Sequence, residues 1–137
     1  MIPIVCVDDH GGTMFNGRRQ SQDRLLRKPL MEVVVGNGQL WMNAYSRRQF
    51  REYDNDRIMV AEDFLAKAPP GTYCFVEGQL LGPWTERMEG LILFHWNRVY
   101  PADTYLDLTL PNGMWRLVIK EEFSGSSHEK ITKEVYQ

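Results

Sequence analysis

Cysteine and histidine are scarce in this chain of 137 residues, with two of the first and three of the second. Cys6 and Cys74 both sit inside apolar, strand-like runs, and neither has a partner at metal-ligand spacing. That argues against a cysteine-built metal centre and fits two reduced core thiols, because a buried free cysteine packs as a small hydrophobe. The chain also lacks an excess of one charge. A formal net charge of -2 gives no global pull towards nucleic acid or an acidic membrane surface, so nucleic acid is not an expected partner. No apolar run approaches the roughly 18 residues that a membrane span needs, so no membrane partner is expected either. The first residues enter a strand with no basic leader, which reads as a cytoplasmic protein. With no internal repeat, low-complexity segment or linker, residues 1–137 are expected to form a single domain with a real core. Nothing here specifies an oligomeric state.

What is present is an alternation of strand and helix signals. Residues 2–8 (IPIVCVD) are apolar and β-branched, as in a strand buried on both faces. Residues 9–20 are rich in Gly, Asn and Arg and read as a long loop. Ser21 is placed to cap a helix over 22–35, with Leu25, Leu26, Leu30 and Val33 as its apolar stripe and Gly36-Asn37-Gly38 as its stop. A strand follows at 40–42, then a short helix capped by Ser46 and carrying Phe50 and Tyr53. A turn at Asn55-Asp56 precedes a strand at 57–61 and a helical turn at 63–67. Another strand at 72–76 leads through Glu77-Gly78-Gln79 into a helix-like segment ending near Met88. A strand at 91–97, a polar connection through Asp103-Thr104-Tyr105, and an antiparallel pair at 115–123 and 132–137 complete the chain. Strands alternating with helices imply parallel βαβ units. The expected fold is therefore α/β, a mixed and mostly parallel sheet with helices on both faces and an antiparallel C-terminal edge. Sites in such sheets lie beyond the carboxyl ends of the strands.

In order and spacing these segments resemble the dihydrofolate reductase family. That family has a loop of the pattern G-I-G-x-N-G-x-L-P-W after its first strand. Gly12-Thr13-Met14-Phe15-Asn16-Gly17-Arg18-Arg19-Gln20-Ser21 falls in the same register and keeps the Asn-Gly turn, without the middle Gly, the Pro and the Trp. Asp23 stands near the family's helical acid, which faces the pterin. Met42-Asn43-Ala44-Tyr45-Ser46 matches the family's M-G-R-x-T at Met42 and Ser46. Cys74-Phe75-Val76-Glu77-Gly78 keeps the second glycine of the Gly-Gly pair that touches the cofactor. Asp103-Thr104-Tyr105, Trp115, Glu134 and Tyr136 are similar in order to the family's closing motifs.

The resemblance implies a cleft beyond the strand ends that takes a small anionic or heterocyclic ligand. Its candidate residues are Asp23 and Glu77 as catalytic acids or bases, and Asn16, Arg18, Arg19, Arg27, Tyr45, Ser46 and Gly78 for binding. Glu77, where the family has glycine, and Ala44, where it has arginine, predict that NADPH binds weakly or not at all. The cofactor is therefore unknown.

The residues themselves leave alternatives open. Asp23 is either a remnant of the pterin acid or a first-turn acid favoured by the helix dipole. Glu77 is either a general base or the ion-pair partner of Arg18 or Arg19. Residues 9–20 are expected to act as a hinged lid whose arginines face an incoming anion. The run Asp8-Asp9-His10 raises a metal-dependent nuclease or other hydrolase as an alternative. Neighbouring strand-end residues point to opposite faces, however, and no third ligand completes a site, so no metal is expected. A non-catalytic interaction or regulatory module is the other alternative.

Overall fold

The structure, a computed structural model, describes residues 1–34, 38–53 and 56–137. Its centre is a seven-stranded sheet in the order β5-β4-β6-β1-β7-β10-β9. The strands are β1 (Ile2–Val7), β4 (Leu40–Met42), β5 (Ile58–Val60), β6 (Tyr73–Val76), β7 (Leu91–His95), β9 (Leu117–Phe123) and β10 (Ile131–Tyr136). β1 lies in the middle, parallel to β6 on one side and to β7 on the other. β4 is parallel to β5 and β6, whereas β10 runs antiparallel to β7 and β9. This is the mixed sheet with an antiparallel C-terminal edge that the patterning predicts.

Alternation along β1 divides the core into two layers. Val5 and Val7 face Phe64 and Leu65 of the short helix α3 (Phe64–Lys67), while Ile4 faces Leu26 and Leu30 of α1 (Arg24–Val33). Helices therefore cover both faces. Cys6 and Cys74 stand on adjacent strands as free thiols, with Cys74 opposite Pro3, and they belong to opposite layers. Burial pushes the Cys74 thiol up to about 12, and burial followed by the nearby Glu77 charge raises that of Cys6.

Several local expectations are corrected. The segment 9–20 is a β-hairpin of β2 (Gly12–Phe15) and β3 (Arg18–Arg19), not a loop. Asn16 and Gly17 form its two-residue turn with φ of 50° and 70°, the backbone that an Asn-Gly pair accepts at low cost. β2 also pairs with β8 (Thr104–Tyr105), making a second, three-stranded sheet. A paired hairpin replaces the hinged lid.

The first helix begins two residues later than expected. Its cap is Asp23, whose side chain accepts from the Leu25 N–H, and not Ser21. Leu25 is 41% exposed, so the apolar stripe is carried by Leu26 and Leu30. Asn43 and not Ser46 caps α2 (Ala44–Arg47), which continues into a 3₁₀ turn at Arg48–Phe50. The segment before Met88 is likewise a 3₁₀ helix, Gly82–Arg87. The expected helix end at Val35, most of the Gly36-Asn37-Gly38 stop and Asn55 lie outside the described residues. Among the described residues no helix is long and apolar enough to cross a membrane.

Candidate functional site

Among the described residues, two side-chain clusters that include candidate residues, and a groove, lie beyond the carboxyl ends of β1, β6 and β7. The hairpin after β1 carries Arg19 across to Glu77, which directly follows β6. Arg19 donates through Nε to Oε2 at 2.9 Å and through Nη2 to Oε1 at 3.0 Å, a two-pronged pair. Ser46 Oγ donates to the same carboxylate at 2.8 Å, and Gln49 Nε2 does so at 3.4 Å. Tyr45 completes the cluster. Its ring lies under the guanidinium at 4.4 Å, and its hydroxyl accepts from the Arg19 main-chain N–H at 2.9 Å. Of the two roles open for Glu77, the ion pair is the one formed, and its partner is Arg19.

Gly78 has φ 92°, and a side chain there would meet Met14 Cγ of the hairpin at 2.9 Å. The backbone that the resemblance assigns to close cofactor approach is thus covered by Met14. With Glu77 engaged and Ala44 offering no cation, the residues present do not fit NADPH in the manner the family uses. Arg47, near in sequence, is turned to its own chain and donates to the Phe50 and Tyr53 carbonyls.

The second cluster closes around Asp23, which is 1% exposed. The β9–β10 loop folds over it and supplies donors. Ser126 N and Oγ reach Oδ1 at 2.8 and 3.0 Å, and Ser127 N and His128 N reach Oδ2 at 2.9 and 3.1 Å. His128 Nδ1 lies 2.9 Å from Oδ2. Burial would raise the Asp23 pKa, but the Ser126, His128, Ser127 and Leu25 donors together hold it well below the usual carboxylate range. A side chain on Gly125 would run into the carboxylate, so this close approach needs glycine. His128 is stacked on Trp96 at 4.5 Å between ring centres, and its Nε2 meets Ser21 Oγ at 3.1 Å and Tyr100 Oη at 2.8 Å. Where the resemblance sets a pterin against the helical acid, this chain sets its own Ser126-Ser127-His128.

The residues of the Asp8-Asp9-His10 run separate. Asp8 is 2% exposed, and its carboxylate accepts from His10 N, Gly12 N, Tyr100 N and Gln20 Nε2 at 2.8–3.1 Å. Burial opposes its ionisation, but those donors lower its pKa. It clamps the base of the hairpin. Asp9 and His10 point to solvent, and no metal-binding group of three occurs among the described residues.

The open space is a groove of about 450 Å³ between the hairpin and the chain leaving β7, lined by Phe15, Asn16, Arg18, Arg19, Gln20, Tyr100 and Pro101. Arg18 is exposed, and its guanidinium has no ion-pair or hydrogen-bond partner among the described residues. Phe15 is 41% exposed. Asn16 N–H is held by Asp103 Oδ2 at 3.0 Å, which joins two of the motifs that carry the resemblance. A larger hollow of about 700 Å³ lies beside Trp96, but its charges oppose one another, with Glu122 paired to Lys130.

The nine candidate residues thus do not share one cleft. Asn16, Arg18 and Arg19 line the groove, while Arg19, Tyr45, Ser46 and Glu77 cluster behind it. Gly78 lies under Met14, Arg27 is ion-paired with Glu52, and Asp23 is enclosed elsewhere. Tyr100, Gln20, His128 and the two serines were not among the candidates. The one signal for them was a histidine in a Gly-Ser-Ser loop, more than a hundred residues from the acid that it meets.

No protein-family model and no curated protein matches the sequence. Among solved structures the chain is similar to a dihydrofolate reductase from Enterococcus faecalis, solved in complex with NADP(H) and RAB-propyl. The TM-score is 0.69 at 12% identity, over 99% of this chain and 94% of that one. The chain has a dihydrofolate reductase-like α/β fold.

Proposed function

We propose that this fold serves here as a binding protein for a small anionic ligand bearing a flat ring, held in the groove between the hairpin and the chain after β7, without hydride transfer from NADPH. The observation that carries this reading is Arg18, an exposed cation with no partner among the described residues, in a groove that also offers the rings of Phe15 and Tyr100. A guanidinium suits carboxylate or phosphate, and the rings suit a heterocycle. Arg19, also on the groove wall, is neutralised by Glu77, so the groove's positive charge comes from Arg18. The rigid hairpin favours the bound geometry, because little chain entropy is lost on binding.

The test is calorimetric titration with folate and with nucleoside monophosphates at low and physiological salt. At least one of these is expected to bind more tightly than about 1 mM. Arg18→Ala should weaken it by roughly tenfold to a hundredfold, the loss of one charge-assisted contact worth about 1.5–3 kcal/mol. Binding should also weaken as salt rises, because exposed charges are screened beyond about 8–10 Å. Equal affinity in the Arg18→Ala protein would contradict the proposal.

A further inference from the structure

The contacts around His128 have an order that neither a pterin site nor an anion groove requires. Asp23 and His128 side chains are 0% and 1% exposed, whereas Ser21 is half-buried, follows the groove residue Gln20 in the chain and meets the same His128 nitrogen as the groove residue Tyr100. We propose that Ser21, His128 and Asp23 form a nucleophilic relay that hydrolyses small carboxylic esters reaching Ser21 from the groove.

The geometry meets the requirements of such a relay in turn. The nucleophile and base are in hydrogen-bond reach, at 3.1 Å from Ser21 Oγ to His128 Nε2. The base is oriented by a buried acid, at 2.9 Å from His128 Nδ1 to Asp23 Oδ2. A carboxylate facing Nδ1 assigns the neutral imidazole proton to that nitrogen and leaves the Nε2 lone pair for Ser21. Stacking on Trp96 resists rotation of the ring. The acid is itself fixed by main-chain N–H groups from Leu25, Ser126, Ser127 and His128. The Gln22 main-chain N–H, which follows the nucleophile directly, has no acceptor among the described residues and can donate to a developing oxyanion.

In the reaction Ser21 Oγ bonds to the ester carbonyl carbon while its proton passes to His128 Nε2, and Asp23 stabilises the imidazolium. The tetrahedral adduct then breaks its bond to the leaving oxygen, which takes the proton from Nε2 and departs as the alcohol. Water repeats the sequence against the acyl-serine and releases a carboxylic acid and free Ser21. No oxidant or metal is consumed.

Tyr100 Oη, 2.8 Å from Nε2, competes with Ser21 for the same lone pair. Its removal is therefore expected to raise reactivity, not lower it.

The experiment treats the full chain with an uncharged alkyl fluorophosphonate and locates the adduct by peptide mass spectrometry, alongside hydrolysis of p-nitrophenyl acetate. One adduct per chain on Ser21 is expected. Ser21→Ala should lose it and lower hydrolysis at least about a hundredfold, and Tyr100→Phe should label faster than the parent. Ser21 lies outside the cores, so its variant should fold even if Asp23 or His128 variants do not. An unlabelled Ser21 in folded protein, or unchanged hydrolysis by Ser21→Ala, would overturn the proposal. The relay adjoins the anion groove at Gln20 and Tyr100, but Arg18, which carries the groove proposal, is not part of it. Because the probe carries no charge, labelling without anion binding removes the groove proposal alone, and anion binding without labelling removes the relay alone.

Discussion

Replacing Asp23 with alanine is expected to lower stability by roughly 3–5 kcal/mol, because several buried donors lose their acceptor at about 1–3 kcal/mol each. The carboxylate is enclosed and holds six loop donors together with the Leu25 cap, so its removal leaves buried N–H groups and His128 without an acceptor. Urea denaturation measures the loss, and amide exchange should show the 124–128 segment opening first. A cost below about 1 kcal/mol would mean that the loop packs independently of Asp23. The same residue governs the acid limb of the stability profile. Its folded pKa is depressed, so its contribution is complete above the ordinary aspartate value near 3.9 and is lost as pH falls through the lower folded value. The Asp23→Ala protein should therefore lose less stability than the parent on acidification from about pH 5.

Replacing Arg19 with alanine is expected to cost about 3 kcal/mol, the lower end of the range for breaking a buried ion pair, because its side chain is 19% exposed while that of Glu77 is 9% exposed. The penalty comes mainly from the carboxylate left behind. Glu77→Gln in the Arg19→Ala background should recover part of it, since a neutral amide can still pair with Ser46 and Gln49. A double-mutant cycle by thermal or urea unfolding reads this coupling. Strictly additive costs would show that the two side chains do not depend on one another.

The sheet was legible because its signal is local. Largely apolar runs at 2–8 and 91–95, alternation at the C-terminus and helical segments between them carry the order of strands, and Cys6 and Cys74 fell on adjacent strands as expected. What misled were positions decided by distant partners. Asn16-Gly17 is a strong hairpin signal, but the flanking arginines hid a two-residue strand, and the stabilising neighbour Thr104–Tyr105 lies nearly ninety residues away. Ser21 and Asp23 are equally good caps by type. The loop at 125–128 makes Asp23 the buried one and turns Ser21 towards His128. Glu77 was readable as an ion-pair partner of Arg18 or Arg19. The alternation of β3 selects Arg19, which is turned inward, and leaves Arg18 exposed.

On the proposed reading, these same contacts separate the fold from reductase activity. Glu77 with Arg19, Met14 over Gly78, and the serine loop over Asp23 occupy the places that the resemblance gives to cofactor and pterin. The measurement that tests this most directly is NADPH consumption by the purified protein in the presence of dihydrofolate, followed by absorbance. The account predicts a rate no greater than that of the mixture without protein. Dihydrofolate-dependent turnover, abolished by a folded Asp23→Asn variant, would contradict it.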